Sequence, residues 1–98
     1  MPRFDEHFKA LADPTRRAIL AELRGGPLHA GKLAERLGLG PSALSFHLKV
    51  LKNSDLIADR REGQFIEYRL NTSVMDELIG FVIDRFGQDR GSVPEEEP

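Results

Sequence analysis

The sequence predicts a mainly α-helical fold completed by one β-hairpin, an α+β arrangement of about five helices and two strands. Three observations lead there. Apolar residues recur at helical spacing in five separate stretches, and the spacing changes to a strand-like pattern between Leu56 and Leu70. Glycine, proline or a capping residue separates each stretch from the next.

Phe4, Phe8 and Leu11 fall at i, i+4 and i+7, marking a first amphipathic helix that ends near Ala12. Asp13-Pro14 starts the second, since the aspartate can cap orphan amides and proline suits the first helical position. Ile19, Leu20 and Leu23 give that helix its buried stripe, and Gly25-Gly26-Pro27 stops it. A short third helix over Ala30 to Leu37 presents Leu33, Ala34 and Leu37 on one side, with Gly38 as a left-handed C-terminal cap. The fourth begins at Pro41-Ser42 and turns Leu44, Leu48 and Leu51 inward. Two short helices joined by Gly38-Leu39-Gly40 make a helix-turn-helix.

Leu56 to Arg61 and Phe65 to Leu70 then read as strands around a turn at Arg61-Glu62-Gly63-Gln64, where Gly63 is free to take positive φ. A hairpin directly after a helix-turn-helix is the wing of a winged helix-turn-helix. The last helix starts near Asn71-Thr72-Ser73 and carries Val74, Met75, Leu78, Ile79, Phe81, Val82, Ile83 and Phe86, a stripe too wide for one neighbour. A second chain is expected to cover it, with Phe4, Phe8, Met75, Leu78, Ile79, Val82, Ile83 and Phe86 as the interface of a homodimer. Residues 1–87 are expected to form this DNA-binding and dimerisation domain, and the acidic, proline-flanked residues 88–98 a disordered tail.

Composition narrows the function classes. A chain of 98 residues is one small domain with a modest core, which also favours a dimer. No apolar run approaches the roughly 20 residues of a membrane span, and Met1-Pro2-Arg3-Phe4-Asp5-Glu6 has no secretory character, so membrane insertion is not expected and a cytoplasmic location is. The absence of cysteine removes disulfides, thiolate metal sites and cysteine nucleophiles together. No glycine-rich phosphate loop follows a strand, and the serines cluster on one helix rather than beside a base, so no enzyme is expected. Net charge is −2, but residues 14–69 hold ten basic and six acidic side chains, whereas both ends are acidic. A basic middle suits a domain that lays one face on phosphates.

The expected DNA surface follows from the elements. Ser42 and Ser45 lie one turn apart at the start of the fourth helix, where hydroxyls can reach base edges and helix amides can hold a phosphate. Pro41, Phe46, His47, Lys49 and Lys52 continue along that helix, Lys32 precedes it, and Arg60, Arg61 and Gln64 stand on the wing.

The segments Phe8-Lys9-Ala10-Leu11-Ala12-Asp13-Pro14-Thr15-Arg16-Arg17, Leu44-Ser45-Phe46-His47-Leu48-Lys49-Val50-Leu51 and Arg61-Glu62-Gly63-Gln64-Phe65-Ile66-Glu67-Tyr68 together resemble the ArsR/SmtB family of winged helix-turn-helix repressors. The resemblance covers about residues 4–87, and Gln64-Phe65-Ile66 with Leu70-Asn71-Thr72-Ser73-Val74 is similar to the metal-independent branch that includes the sporulation-delaying-protein autorepressor. It implies a dimeric, autoregulatory repressor on a palindromic double-stranded DNA operator, paired through its first and last helices. Pro41 and Phe46 depart from the polar residues that many relatives carry, which leaves the operator sequence open.

Many members sense metals, but the sensing positions are not filled. The family's thiolate site would fall on Leu28-His29-Ala30-Gly31-Lys32-Leu33, where no sulfur stands, so arsenite sensing by thiolates is excluded. The last-helix zinc site needs histidine, and no histidine follows His47; Asp76, Glu77, Asp84 and Asp89 are the acids on offer. His7 reads as a surface or dimer-edge residue, His29 as a loop residue, and His47 as a hydrogen-bonding partner of phosphate or of a neighbouring side chain. Neither metal nor cofactor is therefore expected, and an unknown protein or small molecule is left as the effector. Two alternatives stand beside the repressor: a protein-interaction module on the same scaffold, and a repressor with a carboxylate/histidine zinc site outside the family's usual positions.

Overall fold

The computed structural model describes the backbone of residues 2–87 and the side chains of residues 4–87; the acidic tail lies outside the described residues. Along the chain run α1 (Pro2–Leu11), α2 (Pro14–Leu23), β1 (Leu28–His29), α3 (Ala30–Leu37), α4 (Pro41–Asn53), β2 (Ile57–Glu62), β3 (Phe65–Leu70) and α5 (Thr72–Phe86). None of the described helices is long and apolar enough to cross a membrane.

The caps explain where the helices begin and end. Asp13 Oδ1 accepts from the amides of Thr15 at 2.7 Å and Arg16 at 3.1 Å, so Pro14 enters α2 beside a filled cap. Burial works against ionisation of Asp13, but the two amide bonds and the nearby His47 and Arg16 outweigh it and hold the carboxyl below its ordinary range. Gly38 ends α3 with φ of 65°. The end of α4 is less ordinary, because the residue in the left-handed region there is Asp55, with φ of 63°. The amides of Leu56 and Asp55 donate back to the carbonyls of Leu51 and Lys52, closing a Schellman motif around a residue with a Cβ.

A single core joins all the helices. Ile19, Leu20 and Leu23 of α2 meet Leu33 of α3, Leu44, Leu48 and Leu51 of α4, Leu56 and Ile57 at the entrance to the hairpin, and Val74 and Leu78 of α5. Leu78 is only 4% exposed, so it belongs to this core and has little surface left for a partner, a correction to its place in the expected interface. Helical spacing alone could not separate it from Ile79, Val82, Ile83 and Phe86, which remain exposed.

The sheet has three strands rather than two, in the order β1-β3-β2 and wholly antiparallel. Leu28 and His29 pair with Tyr68 and Glu67, so His29 is a strand residue and not a loop residue. Two residues are too few to announce a strand by alternation; β3 recruits them by offering its free edge. The hairpin closes through Gly63-Gln64 between the paired residues Glu62 and Phe65, with Gly63 at φ of 62° in the first loop position, as a type II′ turn requires.

His7 also differs from expectation. It is 2% exposed, packed beside Phe4, and its Nδ1 has no hydrogen-bond partner among the described residues. The reason is the packing of α1 on α5: Phe4 stacks on Phe81 at 4.7 Å and Phe8 approaches the same ring at 6.0 Å, which turns His7 inward.

Candidate nucleic-acid interface

The α3 and α4 helices leave one face of α4 open to solvent. Pro41, Ser42, Ser45, Phe46, Lys49 and Lys52 are all exposed, while Leu44, Leu48 and Leu51 on the opposite face are buried. Gly40 precedes the helix and supplies no side-chain cap, so the first-turn amides are open to an outside acceptor such as a phosphate oxygen. Phe46 is 58% exposed, and its ring meets the neighbouring His47 edge-on at 5.3 Å. That places a bare aromatic face beside Ser45 on the surface of α4.

His47 is half-buried, and its Nδ1 lies 3.2 Å from the Arg16 guanidinium, which also donates to the carbonyls of Ala10 at 2.7 Å and Lys9 at 3.4 Å. Arginine has no acceptor, so Nδ1 must accept this bond and the ring proton sits on Nε2. Arg16 therefore ties the end of α1 and the start of α2 to α4, and it fixes which way His47 offers its donor. This role of Arg16 was not read from the sequence, where 31 residues separate the pair.

Between α4 and the sheet runs a groove of about 360 Å³ lined by Ser45, Leu48, Lys49, Lys52, Asn53, Asp59, Ile66 and Tyr68. The cations around it are not equivalent. Lys52 bonds Asp59 at 2.9 Å, and that hydrogen bond raises its pKa, so the charge is permanent but already matched. Burial, with Asp59 alongside, pushes the Tyr68 hydroxyl up as well. Lys49 has no ion pair among the described residues. Lys32 pairs with Glu35 one turn on, at 3.3 Å.

The wing divides its arginines between two faces. Arg61 pairs across the hairpin with Ile66, and directly opposed residues share a face, so Arg61 lies on the groove side with α4. Its guanidinium makes one long bond, 3.4 Å, to the Gly63 carbonyl. Arg60 points to the other face, where it bonds Glu62 at 2.7 Å and Glu67 at 3.3 Å. Gln64 is exposed at the tip, as is the neighbouring Phe65. The expected pair of arginines thus resolves into one available cation and one neutralised one.

A second open surface is apolar. Phe8 of α1 and Ile79, Val82, Ile83 and Phe86 of α5 expose large hydrophobic side chains, next to the half-buried Phe4 and Met75. Contiguous apolar surface of this kind on a small chain is characteristic of an interface.

This arrangement of helix-turn-helix, three-stranded winged sheet and uncapped, outward-facing second helix defines a winged helix-turn-helix protein. Comparison with known proteins narrows the class. The family described as a helix-turn-helix domain matches residues 11–60. The transcriptional repressor SdpR of Bacillus subtilis (strain 168) is 46% identical over 77 residues, which cover 79% of this chain and 86% of SdpR. An ArsR-like transcriptional regulator from Rhodococcus sp. RHA1 superimposes with a TM-score of 0.78 at 30% identity, covering 88% of this chain and 80% of the other. The homodimeric winged helix-turn-helix DNA-binding domain of a possible ArsR-family regulator from Mycobacterium bovis gives a TM-score of 0.71 at 28% identity, over 89% of this chain and 83% of the other. The chain belongs to the ArsR family of winged helix-turn-helix transcriptional regulators, which are not enzymes.

Proposed function

We propose that two copies of this chain join through α1 and α5 and repress transcription by binding a palindromic DNA operator, each copy placing α4 in the major groove of one half-site. The observation that carries this reading is the solvent-facing, uncapped start of α4 with Arg61 on the same side of the wing. Likeness to SdpR and to the homodimeric Mycobacterium bovis domain supports it.

In this arrangement the Ser42 and Ser45 hydroxyls and the Phe46 ring meet base edges, the ring against a thymine methyl. The amides of the first turn and the Nε2 proton of His47 bond phosphates, joined by Lys49 and Arg61. Lys52, Lys32 and Arg60 contribute after exchanging their carboxylate partners for phosphate, a smaller net gain. Two half-sites one helical turn apart, about 10 base pairs, match the twofold symmetry of the pair. The protein acts in the cytoplasm, and a protein or small molecule releases it from the operator, which lies in its own promoter.

Selection of genomic fragments with purified protein, followed by gel shift on the selected site and its neighbours, tests the proposal. Capture of one palindromic class is expected, with Ser45→Ala altering base preference inside the half-site. Selection of no fragment overturns the repressor reading and leaves the protein-interaction module.

A further inference from the structure

The sheet face turned away from the α4 groove brings together three side chains that the sequence left unconnected. His29 of β1 and Glu67 of β3 are direct cross-strand partners, and Glu67 is also opposite Arg60 of β2. Glu62 stands two residues beyond Arg60 and so on the same face of the sheet. Three adjacent strands therefore hold one imidazole and two carboxylates side by side, and one donor atom from each lies within 4.8 Å of the others.

We propose that His29, Glu62 and Glu67 form a binding site for a divalent transition-metal ion of the zinc type, one per chain. The chemistry of the donors selects the class. An imidazole nitrogen with two carboxylate oxygens suits zinc and its first-row neighbours, whereas calcium and magnesium prefer oxygen alone. The spacing agrees: His29 Nε2 and Glu62 Oε1 are 3.2 Å apart, close to the roughly 3.3 Å edge of a tetrahedron with metal bonds of about 2.0 Å. Glu67 reaches the same point by a side-chain rotation, because its backbone is already fixed opposite His29. The Phe65 ring, 5.4 Å from the His29 ring, walls one side and leaves a fourth position to water.

A positive charge already occupies this position in another form. The Arg60 guanidinium bridges Glu62 Oε2 and Glu67 Oε1, so an arriving ion must displace it. This competition gives the site a signature that scattered surface acids lack: removing Arg60 strengthens binding, whereas removing either ligand type weakens it. The site stands on the sheet register and on these side-chain distances, and measuring zinc on the chain without DNA tests it separately from the DNA reading. His29 falls within the segment where relatives carry thiolates, but Glu62 and Glu67 come from the wing, so the donor set is not the family's and no last-helix residue takes part.

The test uses the full chain, stripped with a chelator, and Zn²⁺ measured by competition against a chromogenic chelator. The wild type is expected to take up one zinc per chain. His29→Gln and Glu67→Gln should each weaken binding at least about tenfold, Arg60→Gln should tighten it several-fold, and His47→Gln should leave it unchanged. The His29 side chain is 43% exposed and the Glu67 side chain 18%, so thermal melts without metal check that each variant keeps its fold. Zinc should raise the melting temperature of the wild type but not of Glu67→Gln. No saturable binding, or equal binding by the wild type and both ligand variants, overturns the proposal.

Discussion

Ile83→Ser tests whether the bare face of α5 is the surface that joins two chains. Ile83 is 61% exposed, and Ile79, Val82 and Phe86 of the same helix are exposed beside it. Complete burial of an isoleucine side chain contributes roughly 1.5–3 kcal/mol, so covering this exposed share contributes about 1–2 kcal/mol in each copy. A twofold interface contains the residue twice, which doubles the loss to about 2–4 kcal/mol, or roughly 30- to 700-fold in the dimer dissociation constant. Sedimentation velocity over a concentration series measures that constant, and circular dichroism checks that helix content is kept. Glu35→Ser, on α3 and away from this face, is the control. If Ile83→Ser dimerises within about threefold of the wild type, α5 does not form the interface and the apolar face needs another partner.

Other expectations follow from the same geometry. Arg61→Ala should remove two phosphate contacts from a DNA-bound dimer and lower the salt slope of log affinity by about 1.8, whereas Arg60→Ala, already paired with Glu62 and Glu67, should change it far less; gel shifts over a salt series compare them. Asp55→Gly should raise the melting temperature by about 2–8 °C, since relieving a left-handed Cβ outweighs the added freedom of the unfolded chain by about 0.5–1 kcal/mol. The Asp13 carboxyl titrates lower in the folded chain than its ordinary value of about 3.9, so its contribution is complete above that pH and disappears as pH falls through the lower folded value. Denaturant melts should therefore show wild-type stability falling more steeply below about pH 4 than that of Asp13→Asn.

The helices were legible because their signals are local. Asp13-Pro14 and Gly38 act within a single turn, and the leucine spacing of α4 reports its buried face whatever it packs against. The hairpin was legible from Gly63 and the alternation of β3. The missing pieces depend on contacts between distant segments. Leu28-His29 becomes a strand only because β3 has a free edge, and Leu78 differs from Ile79 only through the angle at which α5 meets the core. His7 looked like a surface residue because helical spacing does not tell that α5 covers α1 with Phe81.

The candidate DNA surface divides in the same way. By itself the sequence determined that a helix-turn-helix precedes an arginine-tipped wing, that thiolate chemistry is absent, and that the last helix is too apolar for one chain. Only the tertiary structure decided which cations are free. Alternation places Arg60 and Arg61 on opposite faces, but the packing of the sheet against α4 determines which face holds the groove, and the register brings Glu62 and Glu67 to Arg60. Charge is a property of each residue, whereas availability is a property of its neighbours, and those neighbours come from strands and helices far apart in the chain.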